Sequence, residues 1–330
     1  CMLLSFIIIY LLISIAIGLY AARRVHNTAD YAVAGRSLPL AVVIATTFAT
    51  WFGSETVLGV PARFVQNGLG AVVEDPFGAS LCLVFVGLFF AYKLYKRNLI
   101  TIGDYYRQRF GRGVEIICSL VIMVSYLGWV AAQITALGLV FNLITQGAVS
   151  TAQGMVIGTV IVLIYTLYGG MWSVAMTDFI QMIVIAVGLV VIAWYAAGLA
   201  GGADKVVDYA VKNGKLQFLP TGGAKEWLFF AAAAMTLMLG SIPQQDVFAR
   251  VMSSKDAKTA VRGPVIGGIV YFLFALIPMF VVLAAVMIMP ETSASLLKDD
   301  PQKVLPTLVM EKMPLLLQIA FFGALLSAIM

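Results

Sequence analysis

The chain has 330 residues, of which 62% are hydrophobic and 11% are charged, and its net charge is +5. A soluble globular domain averages about 45–50% apolar and about 25% charged residues, so this composition argues against a soluble protein. The basic surplus lies in short loops between apolar segments, which argues against a nucleic-acid-binding protein. A single histidine excludes a multi-histidine metal site, and Cys1, Cys82 and Cys118 are interpreted as packing residues rather than as a disulfide framework.

Nine apolar segments follow one another along the chain, at residues 2–20, 39–66, 76–95, 113–145, 152–170, 176–199, 226–248, 262–290 and 314–330. About 20 apolar residues are needed to cross a hydrocarbon core about 30 Å thick. The first segment is followed by Arg23 and Arg24, whereas a signal peptide carries its charge before the apolar core, so we expect an uncleaved helix. Because the chain starts at Cys1 and stops at Met330 inside an apolar run, we interpret it as a fragment.

Basic residues concentrate in three loops that share one side of the membrane if every segment spans once. They are residues 21–38 and the loops that follow the third and seventh segments. The opposite loops are uncharged, as at residues 146–151, or mix both signs. Lys and Arg in short loops mark the cytoplasmic side. The sequence therefore predicts a multi-pass protein of the inner (plasma) membrane, surrounded by the lipid bilayer, with its N-terminus outside the cytoplasm.

The second apolar segment contains unusual residues for a spanning helix: Trp51, Glu55, Gly53, Gly59 and Pro61. An interrupted helix is tolerated in a membrane where its unwound backbone lines a cavity, and such breaks supply carbonyl oxygens to ions in many transporters. The alternative is a kinked helix whose Ser and Thr hydroxyls bond to their own carbonyls.

Four motifs resemble those of the sodium:solute symporter family. The most specific is YTLYGGMWSVAMTDFIQ (165–181), and the others are ADYAVAGRSLPL (29–40), LITIGDYYRQRFG (99–111) and GSIPQQDVFARVMSSKDAK (240–258). The resemblance implies an all-α, polytopic membrane protein, an inverted-repeat bundle of five plus five helices with an extra N-terminal helix. Residues 1–330 then form a single transmembrane transporter domain, with a leading helix at 2–20, a first repeat at 39–199 and a truncated second repeat at 226–330. Segments 39–66 and 226–248 are its two broken helices.

The resemblance also implies a sodium site. Its expected ligands are the carbonyls of Ala49 and Phe52 at the first break, with the carbonyl of Ala328 contributing. Carbonyl oxygens suit a hard cation and add no charge. In similar proteins the aspartate that matches Asp178 is associated with sodium passage. The alternative for Asp178 is a cap at the cytoplasmic start of a helix.

For the solute, the chain is most similar in style to choline and proline carriers. Trp51 and Trp129 match two positions of an aromatic cage for a quaternary ammonium group, while Gln244 and Ala79 depart from two others. The alternative for a membrane tryptophan is an interfacial anchor. Further candidates for solute contact are polar residues within or beside the apolar segments: Ser54, Glu55, Asp75, Gln133, Gln244 and Gln245.

Glu55 has three interpretations, because a carboxylate near the middle of a bilayer marks a pathway, a partner or a protonated acid. Glu55 contacts the polar or cationic part of the solute, binds and releases a proton during transport, or pairs with Arg63. Their separation of eight residues is a little over two helical turns, which is awkward for direct contact. Asp75 has a helix-capping alternative as well.

We therefore expect a sodium-coupled symporter of a small polar organic solute, such as an amino acid or a quaternary amine, that works by alternating access with Na⁺ as the coupling ion. The alternatives are a proton-coupled transporter, a solute-sensing membrane domain of a signalling protein, or an inactive remnant. An enzyme is disfavoured because the sequence contains no nucleophile–base pair, metal cluster or cofactor loop. No feature suggests a nucleic-acid partner.

Overall fold

A computed structural model describes residues 2–330, apart from the side chain of Tyr165, and these residues are almost entirely helical. Cys1 lies outside the described residues. Five helical segments in the described part of the chain are long and apolar enough to cross a membrane, and two bent helix pairs raise that number to seven. Two shorter apolar helices, Thr151–Ile164 and Leu315–Ile329, cover the remaining apolar segments. The predicted polytopic, all-α architecture agrees with this arrangement.

The α-helices are numbered in chain order: α1 (Met2–Ala22), α2 (Thr28–Val33), α3 (Leu40–Trp51), α4 (Val60–Asn67), α5 (Ala79–Phe85), α6 (Ala91–Tyr95), α7 (Ile102–Phe110), α8 (Arg112–Ile144), α9 (Thr151–Leu199), α10 (Ala203–Lys212), α11 (Ala224–Gly240), α12 (Gln245–Met252), α13 (Ala257–Ile288), α14 (Pro290–Asp299), α15 (Val304–Lys312) and α16 (Leu315–Ile329). Wider π-helical stretches cover Glu55–Gly59, Val73–Gly78 and Val86–Phe90. Short 3₁₀ helices cover Ala34–Arg36, Leu69–Val72 and Pro301–Lys303.

Polar side chains in the loops decide where several helices begin. Thr101 and Asp104 form a capping box at the start of α7. Asp256 caps α13 by accepting from the N–H of Thr259 at 2.8 Å. This hydrogen bond favours the charged carboxylate and lowers the pKa of Asp256 below its ordinary value. The apolar runs fix the length of the spanning helices, while these caps fix their first turns.

Both predicted helix breaks are present. The axis bends by 61° between α3 and the helix Glu55–Asn67, and by 43° between α11 and α12. At the first break, Phe52 leaves the helical conformation, with φ −79° and ψ 73°. The second break falls between Gly240 and Gln245, where the sequence supplies glycine and proline. The predicted interruption of these two segments is confirmed.

The fifth and sixth apolar segments form one long helix, α9, which is sharply kinked at Gly170. This residue has φ +47° and ψ −136°, a conformation that residues with a Cβ rarely adopt. A Cβ placed there would lie 2.4 Å from the backbone oxygen of Tyr31 in α2. The Gly-Gly pair of the motif therefore lets α2 lie directly against the bend. The two segments were predicted as separate helices, and the non-helical Gly170 between them agrees with that prediction.

An aromatic cluster fixes the chain beside the first break. The rings of Phe48 and Phe52 stack with centroids 4.6 Å apart, and the ring of Tyr271 meets that of Phe52 edge-on at 5.9 Å. All three side chains are fully buried. Aromatic pairs of this kind contribute about 0.5–1.5 kcal/mol each beyond the burial of their area. Tyr271 belongs to α13, which packs against α3, α4, α5 and α9 and forms the centre of the bundle.

Other faces of the bundle expose large apolar side chains. The buried residues of α8 all lie in its second half, and α11 has none. Leu127 and Leu228 are 64% and 70% exposed. Contiguous apolar surface of this kind is expected where a protein contacts lipid or further helices.

The leading helix α1 packs against α9 and α16. The Tyr10 hydroxyl is hydrogen-bonded to the hydroxyl of Ser327 in α16. Ser173 in α9 donates to the carbonyl of Gly18. These contacts join α1, at two positions along its length, to helices that are distant from it in the sequence.

Candidate functional site

The break after α3 leaves a backbone carbonyl without its helical donor. In a continuous α-helix, the N–H of residue i donates to the carbonyl of residue i−4. The N–H of Gly53 instead donates to the carbonyl of Trp51 at 2.9 Å. The carbonyl of Ala49 therefore loses the donor that a continuous helix would supply. A carbonyl released in this way is available to a cation.

At Ser54, the side chain of Gln133 in α8 replaces the backbone carbonyl that would accept from this N–H in a continuous helix. Its Oε1 accepts from the backbone N–H of Ser54 at 3.1 Å and from the Ser54 hydroxyl at 3.0 Å. The Thr50 carbonyl thus loses its helical donor too. A Cβ on Gly53 would lie 3.0 Å from the Gln133 amide, so glycine allows this close approach. Among the described residues, nothing hydrogen-bonds the buried Nε2 of Gln133.

The first cavity, of about 310 Å³, opens beside the released Ala49 carbonyl. The side chains and backbone of Ala49, Gln133, Asp178 and Ala328 contribute to its wall. It therefore brings together two of the three predicted sodium ligands and the predicted pathway aspartate. Phe52 does not line this cavity, because its side chain is buried in the aromatic cluster at the break.

Asp178 lies within the second half of α9, well beyond the kink at Gly170, and does not cap a helix. The capping interpretation is therefore wrong, because α9 continues unbroken past this residue. Asp178 is buried and accepts a hydrogen bond from the hydroxyl of Thr46 in α3. Arg250 lines the same cavity, and its buried Nε has no hydrogen-bond partner within residues 2–330.

The second cavity, of about 270 Å³, lies between the first broken helix, the stretch Val73–Gly78, α8, α12 and α13. Five of the predicted solute residues line it, namely Trp51, Glu55, Asp75, Trp129 and Gln244. Ala79, at the position where the resemblance implies a tyrosine, lines it as well. Trp129 also lines the first cavity, so the two cavities are neighbours that share one wall residue.

Among the residues of the second cavity that the sequence analysis missed, Tyr126, Asp246 and Tyr271 make hydrogen bonds to other residues of its wall. Asp246 accepts from the Trp51 indole N–H at 3.1 Å and from the Tyr126 hydroxyl at 2.7 Å. The backbone N–H of Asp246 donates back to the Tyr126 hydroxyl at 3.1 Å. The sequence contained a signal for Asp246, because it is the acidic residue that directly follows the second break.

Tyr271 connects α13 to the first broken helix. Its hydroxyl donates to the buried carboxylate of Asp75. The hydroxyl of Thr56 lies 3.0 Å from the Tyr271 hydroxyl and 3.1 Å from the carbonyl of Trp51. Asp75 has an extended conformation, with φ −137° and ψ 121°, just before Pro76, and its carboxylate bonds Tyr271 and lines the second cavity. A lone tyrosine in the apolar segment 262–290 was the only sequence signal for this contact.

Glu55 and Arg63 form an ion pair, with 2.5 Å between the carboxylate and the guanidinium. The expectation that their separation disfavours contact is wrong. The π-helical stretch Glu55–Gly59 uses more residues per turn than an α-helix, so two turns reach Arg63. A Cβ on Gly59 would lie 2.5 Å from the Glu55 carboxylate, so glycine leaves room for this side chain.

We expect this ion pair to stabilise the fold only weakly, because its side chains are 42% and 43% exposed. A double-mutant cycle with Glu55→Gln and Arg63→Gln should give a coupling of about 0.2–1 kcal/mol in the free energy of unfolding. The measurement is unfolding of the four proteins in detergent. A coupling of several kcal/mol would contradict the expectation. If Glu55→Gln leaves uptake and its pH dependence unchanged, Glu55 has no role in solute binding.

Three predicted solute residues, Ser54, Gln133 and Gln245, lie outside the second cavity. Ser54 is buried behind it and bonds Gln133. The Oε1 of Gln245 accepts from the backbone N–H of Ile102 at 2.8 Å, which ties α12 to α7. Gln245 lines neither of the two cavities, so its solute contact is corrected to a structural contact. Gln133 lines the first cavity and not the second.

Known proteins resemble the chain in sequence and in fold. The sequence profile of the "Sodium:solute symporter family" matches residues 31–330. The "High-affinity choline transporter 1" of Drosophila melanogaster is 33% identical over 78% of this chain and 41% of its own length. The "High affinity choline transporter 1" of Homo sapiens is 32% identical over 78% of this chain and 45% of its own length. The chain thus spans less than half the length of these choline transporters.

A "Sodium/pantothenate symporter" of Haemophilus influenzae is 26% identical over 91% of this chain and 62% of its own length. The structure of a Na⁺-coupled sialic acid symporter in a substrate-bound outward-open state superposes with a TM-score of 0.88 at 20% identity. That match covers 100% of this chain and 71% of the other. It confirms the predicted fold class.

Proposed function

The chain belongs to the sodium:solute symporter family, and from that premise we propose that it serves sodium-coupled symport of a small organic solute by alternating access. The observation that carries the proposal is the break after α3. It leaves the Ala49 carbonyl without its helical donor, and Ala49 lines the first cavity, while Trp51 and Glu55 line the second. One broken helix is therefore shared by both binding cavities.

The first cavity is proposed to hold sodium. The oxygens of Ala49, Phe52 and Ala328 supply uncharged ligands, and the Asp178 carboxylate supplies negative charge on the path of the ion. The released Ala49 carbonyl and the buried Asp178 support this assignment. Phe52 does not line the first cavity, so its carbonyl is proposed as a ligand from the family resemblance alone.

The second cavity is proposed to hold the solute. Choline, pantothenate and glucose appear in the names of the relatives. Sodium bound in the first cavity would stabilise the bent conformation of the broken helix, and that conformation also forms the wall of the second cavity. Each ligand then favours the state that binds the other, which is the basis of coupling.

The proposed setting is the plasma (inner) membrane, with lipid around the exposed apolar faces and the N-terminus of α1 outside the cytoplasm. The placement of basic loops supports this orientation. Within the bundle, α1 is proposed as a leading helix, residues 39–199 as a first repeat and residues 226–330 as part of a second. The two helix breaks, which lie in corresponding segments of these repeats, support the division.

The proposal is tested by uptake into proteoliposomes that contain the full-length protein. Proline, choline, glycine betaine, pantothenate, acetate and galactose are each offered with an inward sodium gradient, with potassium in place of sodium, and with a pH gradient alone. We expect accumulation of at least one solute that requires sodium. Accumulation under the pH gradient alone would indicate proton coupling instead. Sodium binding without accumulation of any solute would favour a solute-sensing domain.

A further inference from the structure

The second cavity carries an unbalanced negative charge. Three carboxylates line it, those of Glu55, Asp75 and Asp246, and its wall contains no Lys, Arg or His among the described residues. Of the three, only Glu55 has an ion-pair partner in the described part of the chain, which is Arg63. Carboxylates held away from water are costly unless a positive charge compensates them. The cavity therefore favours a cation.

The two remaining carboxylates are held by neutral donors. Asp246 accepts from the Trp51 indole N–H and the Tyr126 hydroxyl, and Asp75 accepts from the Tyr271 hydroxyl. These donors are uncharged and orient the two carboxyl groups. An ionised carboxylate offers about four acceptor sites, so each keeps lone pairs for a further donor. Arg250 lines the first cavity and not the second, and its guanidinium donates to the backbone carbonyl of Asp246 rather than to either carboxylate.

Aromatic side chains form much of the remaining wall, those of Trp51, Tyr126, Trp129 and Tyr271. Aromatic rings attract any organic cation, whether or not it carries N–H groups. Carboxylate oxygens discriminate between these cations, because only a cation with an N–H group can donate a charge-assisted hydrogen bond. A quaternary ammonium group has none. An anionic solute would meet three carboxylates without a basic group in the wall.

Resting on the proposed symport function, we propose that the solute is a small protonated amine whose N–H groups donate to Asp246 and Asp75. Asp246 is the residue that determines this specificity, with Tyr126 and Trp51 fixing its orientation. The amine replaces the missing positive charge in the second cavity, and the aromatic wall surrounds its apolar part.

The test uses a methylation series, in which the charge at neutral pH stays constant while N–H donors are removed. Sodium-dependent uptake of radiolabelled ethanolamine by the full-length protein is competed with N,N-dimethylethanolamine and with choline. We expect ethanolamine to bind tightest and choline to bind about tenfold or more weakly, since hydrogen bonds to charged groups are lost. Pantothenate and glucose are expected not to compete.

Variants locate the contact. Asp246→Asn should weaken ethanolamine binding about tenfold or more and reduce the preference over choline, and Tyr126→Phe should produce a smaller loss of the same kind. Asp208→Asn, an exposed carboxylate on α10, is the matched control and should change nothing. A rise in melting temperature with added sodium shows that each variant is folded.

Choline that binds as tightly as ethanolamine, no ethanolamine binding, or an unchanged Asp246→Asn variant would overturn the amine assignment. Sodium-dependent uptake of glucose or pantothenate would also overturn it while symport stands. Ethanolamine binding that follows the expected order without any dependence on sodium would support the amine site and overturn the proposed coupling.

Discussion

Replacing Asp178 with asparagine should raise the sodium concentration for half-maximal uptake by about tenfold or more. The reason is that Asp178 is buried at the wall of the first cavity, where carbonyl oxygens offer only partial charges to a cation. Asparagine keeps the shape and an oxygen for the Thr46 hydroxyl, so the packing between α3 and α9 should persist. The measurement is initial uptake rate against sodium concentration at saturating solute.

The matched control is Asp299→Asn, which removes an exposed carboxylate at the end of α14 and should leave the sodium dependence unchanged. Thr46→Val removes the hydrogen bond to Asp178 but keeps the carboxylate. It should therefore change the sodium dependence less than Asp178→Asn does. If Asp178→Asn lowers the maximal rate but leaves the sodium concentration for half-maximal uptake unchanged, the carboxylate acts in folding and not in ion passage.

Gly170→Ala should severely destabilise the protein. The backbone there has φ +47°, and the new Cβ would meet the Tyr31 carbonyl at 2.4 Å, an atom that cannot move aside without shifting α2. We expect a cost of about 1–3 kcal/mol for the backbone conformation, and a further ~1–3 kcal/mol for the steric overlap. Thermal unfolding in detergent and the yield of monodisperse protein measure the effect.

Gly198→Ala, near the end of the same helix, is the comparison. No heavy atom lies within 4 Å of its Cβ position, and its φ is not in the left-handed range. Alanine there should be neutral or add about 0.5–1 kcal/mol of stability, because glycine is the poorer helix former. Equal stability of the two variants would show that the kink at Gly170 tolerates a side chain.

Hydropathy and the positions of Gly and Pro predicted the spanning segments and the first helix break, while the second break was expected from the family resemblance. These features follow from local chemistry, since a bilayer demands long apolar helices and a break requires residues that tolerate it. The boundary between the fifth and sixth apolar segments was also predicted, and Gly170 leaves the helical conformation there.

The residues around the second cavity were predicted in part. Trp51 and Glu55 flank the break after α3, and Asp75 reaches the same cavity from the separate stretch Val73–Gly78. Asp246 and Tyr271 were missed because their role depends on partners in other helices. The ion pair of Glu55 and Arg63 was misjudged because the π-helical stretch between them changes the number of residues per turn, and that number is set by tertiary packing.

The contact between Tyr10 and Ser327 joins residues 317 positions apart in the chain. A ribosome makes α1 first and α16 more than three hundred residues later, so the phenol of Tyr10 must enter the membrane long before its partner exists. Such distant contacts form late, because the intervening chain has to be ordered first. The contact between α1 and α16 therefore forms only after the helices between them have been made, whereas α1 can pack against α9 earlier, so its docking takes two steps.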